Sequence, residues 1–361
     1  MCRVAVVLGA LATVSVPGSG AAGGQPPKWL TEQARLAAIR RAQVWKPTDV
    51  ASMDLKAGPQ GPGAFAPFET VTCDYVQKKM AGNSPKFTCV RPPDDELKVK
   101  YGQDNGEVYG EVAATRLLWA LGFGADRMYP VRVTCHGCPS DPHKGSGERR
   151  NEVVFDPTAV ERKMAGHALE TKEDSGWIWP ELDLVDESAG GAPRAHRDAL
   201  KLLAVFIQHT DSKAPQQRLI CLTEHALEGG QPCPEPFMML NDVGLTFGHA
   251  NMFNRNGPGS VNYEEWSRTP VWKDPAHCVG TLSKSSTGTL EHPVIREGGR
   301  KFLADLLAQL TDAQLHDLFE VARFALRSRT VGGGKRTVTT EDWVNAFKHK
   351  RDEVANITCQ P

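Results

Sequence analysis

The apolar positions change period twice along the chain. Between residues 28 and 44 they recur at helical spacing with charges on the other side, which predicts a leading amphipathic helix. From about 48 to 135, short alternating runs divided by Gly, Pro and Asp clusters predict strands at 70–76, 86–90, 97–101 and 129–134, with a further β run at 151–155. One helix interrupts them at about 106–121, with Val108, Val112, Leu117, Leu118 and Leu121 as its apolar set. A Pro-, Gly- and acid-rich connection follows at about 170–194, and beyond it the pattern is mainly helical. A buried helix is expected at 196–208, then two short strands at 219–222 and 237–240 joined by a Gly- and Pro-rich hairpin. Helices at about 296–310, 312–328 and 340–354 close the chain, with Thr311 and Thr339 placed as N-caps. A β-rich half holding one helix, followed by a helical half, predicts an α+β arrangement of two lobes. The divisions are 25–47 for the N-terminal helix, 48–175 for the first lobe and 176–361 for the second.

The first residues change the setting. Arg3, an apolar run over 4–16 and a small-residue stretch over 17–24 have the layout of a secretory signal peptide spanning 1–24. The run is shorter than the ~20 apolar residues of a bilayer span, and no later segment approaches that length without charges. The expectation is therefore a secreted or periplasmic protein with no membrane span. A lipid-anchored form is the weaker alternative, because Cys2 precedes the apolar run. Processing would remove Cys2 and leave eight of the nine cysteines, and an even count in an exported chain points to disulfides. Local spacing suggests Cys73 with Cys89, Cys135 with Cys138 and Cys221 with Cys233, leaving Cys278 to pair with Cys359. The Cys135-His-Gly-Cys138 string is also open to a zinc or redox reading. With 42 basic and 43 acidic residues, no broad field of one sign is available to a nucleic-acid backbone, so nucleic acid is excluded as a partner.

The chemistry concentrates in two stretches. His209, Asp211 and Lys213 occupy alternate positions directly after a buried helix, with the amide of Gln216 five residues beyond the acid. Phosphoryl transfer needs such parts: a carboxylate to take a hydroxyl proton, a cation to offset the moving charge and an amide oxygen to help hold a metal. Further on, an apolar strand delivers Asp242, then Val243 and Gly244. A rigid strand can aim the acid at a metal ion that bridges phosphates, and the glycine lets the chain turn away.

The first stretch resembles the protein-kinase catalytic loop His-x-Asp-x-Lys-x-x-Asn, departing from it at Gln216. The second resembles the kinase Asp-Phe-Gly motif with Val243 in place of Phe. Upstream, Lys98 and Lys100 share one face of an alternating strand similar to the lysine strand of a kinase small lobe. Lys100 is the preferred contact for the α and β phosphates, with Glu111 preferred over Glu107 as the acid that holds it. Gly61 and Gly63, in a Gly- and Pro-rich loop between two expected strands, stand where a kinase has its glycine-rich lid. Residues 156–164 fall where the lobes would join, and 246–273 where kinases meet the acceptor. Thr210 stands where many kinases carry Arg, and no Ala-Pro-Glu string follows.

The resemblance covers about 50–280. It implies a two-lobed protein-kinase-like fold, with a β-rich N-lobe around one central helix and a mainly helical C-lobe, close to the atypical secreted or bacterial members. It implies a phosphotransferase using ATP with Mg2+ or Mn2+, and a protein or small-molecule acceptor that the sequence does not identify. Asp211 and Lys213 would be catalytic, Asp242 and Gln216 metal ligands, and Lys100, Glu111, Gly61 and Gly63 nucleotide-binding. Two alternatives are a pseudokinase or nucleotide-binding module without turnover, and a kinase-fold adenylyltransferase. A secreted hydrolase lacks its Gly-x-Ser-x-Gly or His-Glu-x-x-His string.

Overall fold

The computed structural model describes residues 29–80, 82–223, 232–249, 260–329 and 337–360. The expected signal peptide lies outside them. Strand β1 (Thr70–Val76) buries Val71 and Cys73 between exposed neighbours, the alternation expected of a strand with one wet face. It pairs antiparallel with β2 (Lys86–Arg91), which pairs with β3 (Asp95–Tyr101). Strand β7 (Glu152–Arg162) lies between β3 and β4 (Arg127–His136). Parallel pairing of β4 with β1, from Thr70↔Arg132 to Asp74↔His136, closes a five-stranded barrel. Phe87, Leu97, Val99, Tyr129, Val131, Val133 and Val160 fill its inside. A small hairpin of β5 (Pro139–Asp141) and β6 (Ser146–Arg149) extends from it.

Helix α1 (Glu32–Arg41) starts at Thr31, whose hydroxyl accepts from the Ala34 amide. Helix α2 (Glu107–Ala120) is apolar on nearly every side and correspondingly buried, packed between the barrel strands β4 and β7 and the helix α6. The rest is sheet-poor. It holds α3 (Arg194–Phe206), α4 (Tyr263–Arg268), α5 (Glu297–Leu307), α6 (Asp312–Val321), α7 (Phe324–Arg329) and α8 (Thr340–Ala355). Strands β8 (His167–Ala168), β9 (Gln217–Cys221) and β10 (Pro236–Leu240) make a small sheet, and β11 (Trp272–Asp274) pairs with β12 (Val279–Gly280). The chain is thus a mixed α/β structure with a sheet-rich and a helical part. The Thr311 and Thr339 caps occur as expected, each in a reciprocal capping box.

Four expectations are corrected. The helix expected over 312–328 is two, broken where Arg323 takes φ 56°. The run at 151–155 continues to Arg162, so 156–162 is barrel strand rather than a connection. Pro157 lacks a ladder donor and reads as a break, but the pairing with β4 absorbs it at a bulge opposite Val131 and Val133. The Gly58–Gly63 loop has no strand before it, since β1 begins at Thr70 and, among the described residues, the elements ahead of it are α1 and a short 3-10 turn over Val50–Ser52. Finally, Trp266 and Trp272 in the 246–273 stretch belong to the core. Trp266 donates its indole N–H to the Phe206 carbonyl at 2.8 Å and stacks on Trp343.

All four cysteine pairs stand at disulfide distance, with Cα separations of 5.6 to 5.8 Å. The Cys135–Cys138 bridge answers the zinc alternative. Among the described residues no helix is long and apolar enough to cross a membrane. Four such bridges fit an extracellular or periplasmic protein.

Candidate functional site

Register brings the charges together. On β2 and β3, Lys86 faces Lys100 and Thr88 faces Lys98, while the alternate residues Phe87 and Val99 point into the barrel. This outer face of the barrel looks toward the first turns of α2. Lys100 is fully buried, with its ammonium 2.7 Å from Glu107 Oε2 and 2.6 Å from Glu111 Oε1. Both glutamates reach it because positions four apart share a helix face. Asp242, just beyond β10, brings Oδ1 to 3.9 Å from the same ammonium. Strand β10 is held in place by a bridge between Leu240 and Ala125, on the chain following α2.

Gly244 serves a purpose other than the sharp turn expected of it. A Cβ there would lie 2.7 Å from Glu107 Cγ, so the missing side chain lets the segment after Asp242 press against the helix.

Three acids round one lysine leave an excess of negative charge. Ligand atoms of Glu107, Glu111 and Asp242 lie within 4.8 Å of one another. Burial opposes the charge on Lys100, but Asp242, Glu111 and Glu107 outweigh it and raise its pKa well above the usual lysine value. For Glu111, burial dominates and, with Asp242 beside it, lifts the carboxyl well above its ordinary range despite Lys100. For Asp242, burial alone would do the same, yet Lys100 and a hydrogen bond from Glu111 hold it low. The buried Glu111 Oε2 accepts a hydrogen bond from no donor of the protein. An all-oxygen donor set with an unsatisfied buried oxygen suits a hard divalent cation, which could take the place of the proton favoured on Glu111.

Across the cleft, Asp211 Oδ2 accepts from Lys213 Nζ and from Gln216 Nε2, each at 2.8 Å, and its Oδ1 accepts from Ser285 at 3.5 Å. The backbone joins the two acids. The Gln216 carbonyl accepts from the amides of Asn241 at 2.9 Å and Asp242 at 3.3 Å. Lys213, Gln216 and Asp242 line one cavity of about 650 Å3 with Lys86, Thr88, Lys98 and Glu161 of the barrel. That volume suits a nucleotide-sized ligand.

His209 is not a surface residue capping a helix. It is fully buried, neither ring nitrogen has a partner, and burial lowers its pKa to about 4. A depressed histidine contributes stability that is present above its unfolded value of ~6.5 and lost as pH falls toward 4. The size is about 2 to 3 kcal/mol. A His209→Leu variant should therefore lose that much less stability than the parent between pH 7 and pH 4, read by urea unfolding at both.

Of the expected residues, Lys213, Gln216 and Asp242 line this cavity, with Asp211 hydrogen-bonded to the first two and Lys100 and Glu111 buried beside Asp242. The structure leaves Gly61 and Gly63 outside. Gly63 lies against Arg162, which donates to its carbonyl at 2.9 Å, and neither glycine lines the cavity. The wall they were expected to provide comes instead from the β1–β2 connection, with Lys78, Lys79, Met80 and Gly82. Gln216 points at Asp211 rather than joining the acid cluster, where Glu107 stands beside Glu111 and Asp242. Glu107 was legible as the helical neighbour of Glu111. Lys86 carried no signal in the sequence.

No family model matches the chain, and no curated protein matches it. Among solved structures the chain is similar to the Helicobacter pylori proinflammatory kinase CtkA, at 11% identity, over 81% of this chain and 95% of that one, with a TM-score of 0.40. At that level the likeness transfers neither fold nor activity.

Proposed function

We propose that the chain is a protein-kinase-like phosphotransferase of two lobes that uses ATP and Mg2+ or Mn2+ outside the cytoplasm. The observation that carries this reading is the buried Lys100, clasped by Glu107 and Glu111 and faced by Asp242, beneath a cavity whose other wall holds Lys213 and Gln216 beside Asp211. Bound divalent cation would neutralise phosphate oxygens and withdraw charge from the transferred group. Asp242 would hold it, with Glu107 or Glu111 as further oxygen ligands. Asp211 would accept the proton of an attacking hydroxyl as the new P–O bond forms and the bond to the β-phosphate oxygen breaks. Lys213 offsets charge on the transferred group, and Lys100 sets the position of the acids.

A second reading is a nucleotide-binding module without turnover. Lys213 and Gln216 both donate to the same oxygen of Asp211, which occupies an oxygen that a proton acceptor would need.

The test is a thermal-shift titration of the full chain with ATP and MnCl2. At a hundredfold excess over Kd, binding should add about 2.7 kcal/mol of stability, dependent on metal and absent in Asp242→Ala. No shift in the parent, or an unchanged shift in the variant, refutes the nucleotide site.

A further inference from the structure

Most cations facing the cavity are already paired. Lys78 contacts Glu96 at 2.6 Å, Lys98 contacts Glu161 at 2.5 Å, Lys213 contacts Asp211 at 2.8 Å and Arg162 contacts Asp95 at 2.5 Å. Lys100 below them is engaged by two glutamates. Lys86 differs. It is only 8% exposed, lines the cavity, and forms no ion pair among the described residues. Lys79 and Lys163 are unpaired too, but they are exposed to water.

An ammonium at that depth, open only to the cavity and without a counter-ion of its own, keeps little of its hydration and is poorly compensated. Burial and the neighbouring Lys100 both lower the pKa of Lys86, and Glu107 and Asp242 recover only part of the loss. Its ammonium lies under the β1–β2 connection, where a Cβ on Gly82 would come within 3.2 Å of Nζ. A positive group is therefore held between a glycine roof and the acid cluster, with its donors free.

Building on the proposed nucleotide site, we infer that Lys86 is the lysine that grips the phosphate chain, and that the ligand is a polyphosphate rather than a monophosphate. Lys100 is a positioning residue, two of its three donors given to Glu107 and Glu111 and Asp242 standing 3.9 Å away. An anionic phosphate oxygen supplies the partner that the protein withholds from Lys86. The neighbouring acids accept the metal that accompanies it.

The experiment is calorimetric titration of the full chain with AMP, ADP, ATP and inorganic tripolyphosphate, each with MnCl2, against Lys86→Met, Lys86→Arg and Asp242→Ala. Lys86→Met should weaken ATP and tripolyphosphate at least tenfold, with a loss that shrinks from ATP to ADP to AMP. Lys86→Arg should keep ATP binding within about threefold. Without ligand, Lys86→Met should melt at or above the parent temperature, since an uncompensated charge has been removed. A large drop in that temperature makes the lysine structural and overturns the inference. ATP binding unchanged in Lys86→Met but lost in Asp242→Ala refutes Lys86 and spares the nucleotide site. A parent that takes up neither ATP nor tripolyphosphate refutes both.

Discussion

Asp211→Asn should lower phosphoryl transfer from ATP by about 10^2 to 10^4-fold, the usual contribution of a positioned general base. Binding of ATP with Mn2+ should stay close to the parent value. The substitution keeps the shape of the side chain, and an amide oxygen can still accept from Lys213 and Gln216, which now contact Asp211 Oδ2 at 2.8 Å. What it removes is the capacity to take a proton. Release of labelled phosphate to water or to the chain itself reports turnover, and calorimetry reports binding. Full activity in the variant would refute Asp211 as the base. A parent that binds ATP with Mn2+ yet never turns it over would favour the binding module. The outcome also bears on Gln216. Its amide nitrogen faces Asp211, so its oxygen is turned away from that acid and free for a metal or the cavity. Asn in the same place, one methylene shorter, would sit differently.

Local signals carried the elements well and their assembly poorly. Strands β1 to β4 and helices α2, α3 and α8 stand within a few residues of where period and capping place them, because side-chain alternation and N-caps are written in neighbouring residues. The four disulfides were also legible, three from short spacing and the last by elimination. Barrel closure was not. It depends on a parallel pairing of Thr70–Val76 with the distant Arg127–His136, and nothing local encodes such a partner. Pro157 hides the centre of β7 for the opposite reason, since the strand accommodates it in a bulge of its own, where Asp156 and Pro157 together stand opposite the single residue Arg132 of β4. The site shows the same division. Lys100, Asp211 and Asp242 could be named because their motifs are compact. Lys86 acquires meaning only through its register opposite Lys100 and its place under Gly82, neither of which a single strand reveals. Gly61 and Gly63 were chosen for glycine content, a property shared by any loop that needs left-handed backbone, as theirs does at φ 114° and 73°.

Lys100→Met should cost about 3 to 5 kcal/mol at neutral pH, as expected when one member of a buried ion pair is removed. It leaves Glu107, Glu111 and Asp242 within 4.8 Å of one another without the cation that contacts all three. The pH dependence separates charge from packing. Lys100 has a raised pKa, so its contribution is complete below the unfolded lysine value of ~10.5 and fades as pH rises through the folded value. Asp242 has a lowered pKa, so its contribution is complete above the unfolded aspartate value of ~3.9 and fades as pH falls through the folded value. Both partners are charged between those limits, and there the variant should be weakest relative to the parent. Acidification toward pH 4 should narrow the gap as the stranded carboxylates protonate. Millimolar Mn2+ without nucleotide should narrow it too, since three carboxylates relieved of a lysine form a stronger cation site. Urea unfolding at pH 7 and pH 4.5, with and without Mn2+, reads all of this. A loss that is equal at both pH values and indifferent to the cation would mean that Lys100 acts through its packed stem alone. The acid cluster would then have no claim on either a phosphate or a metal.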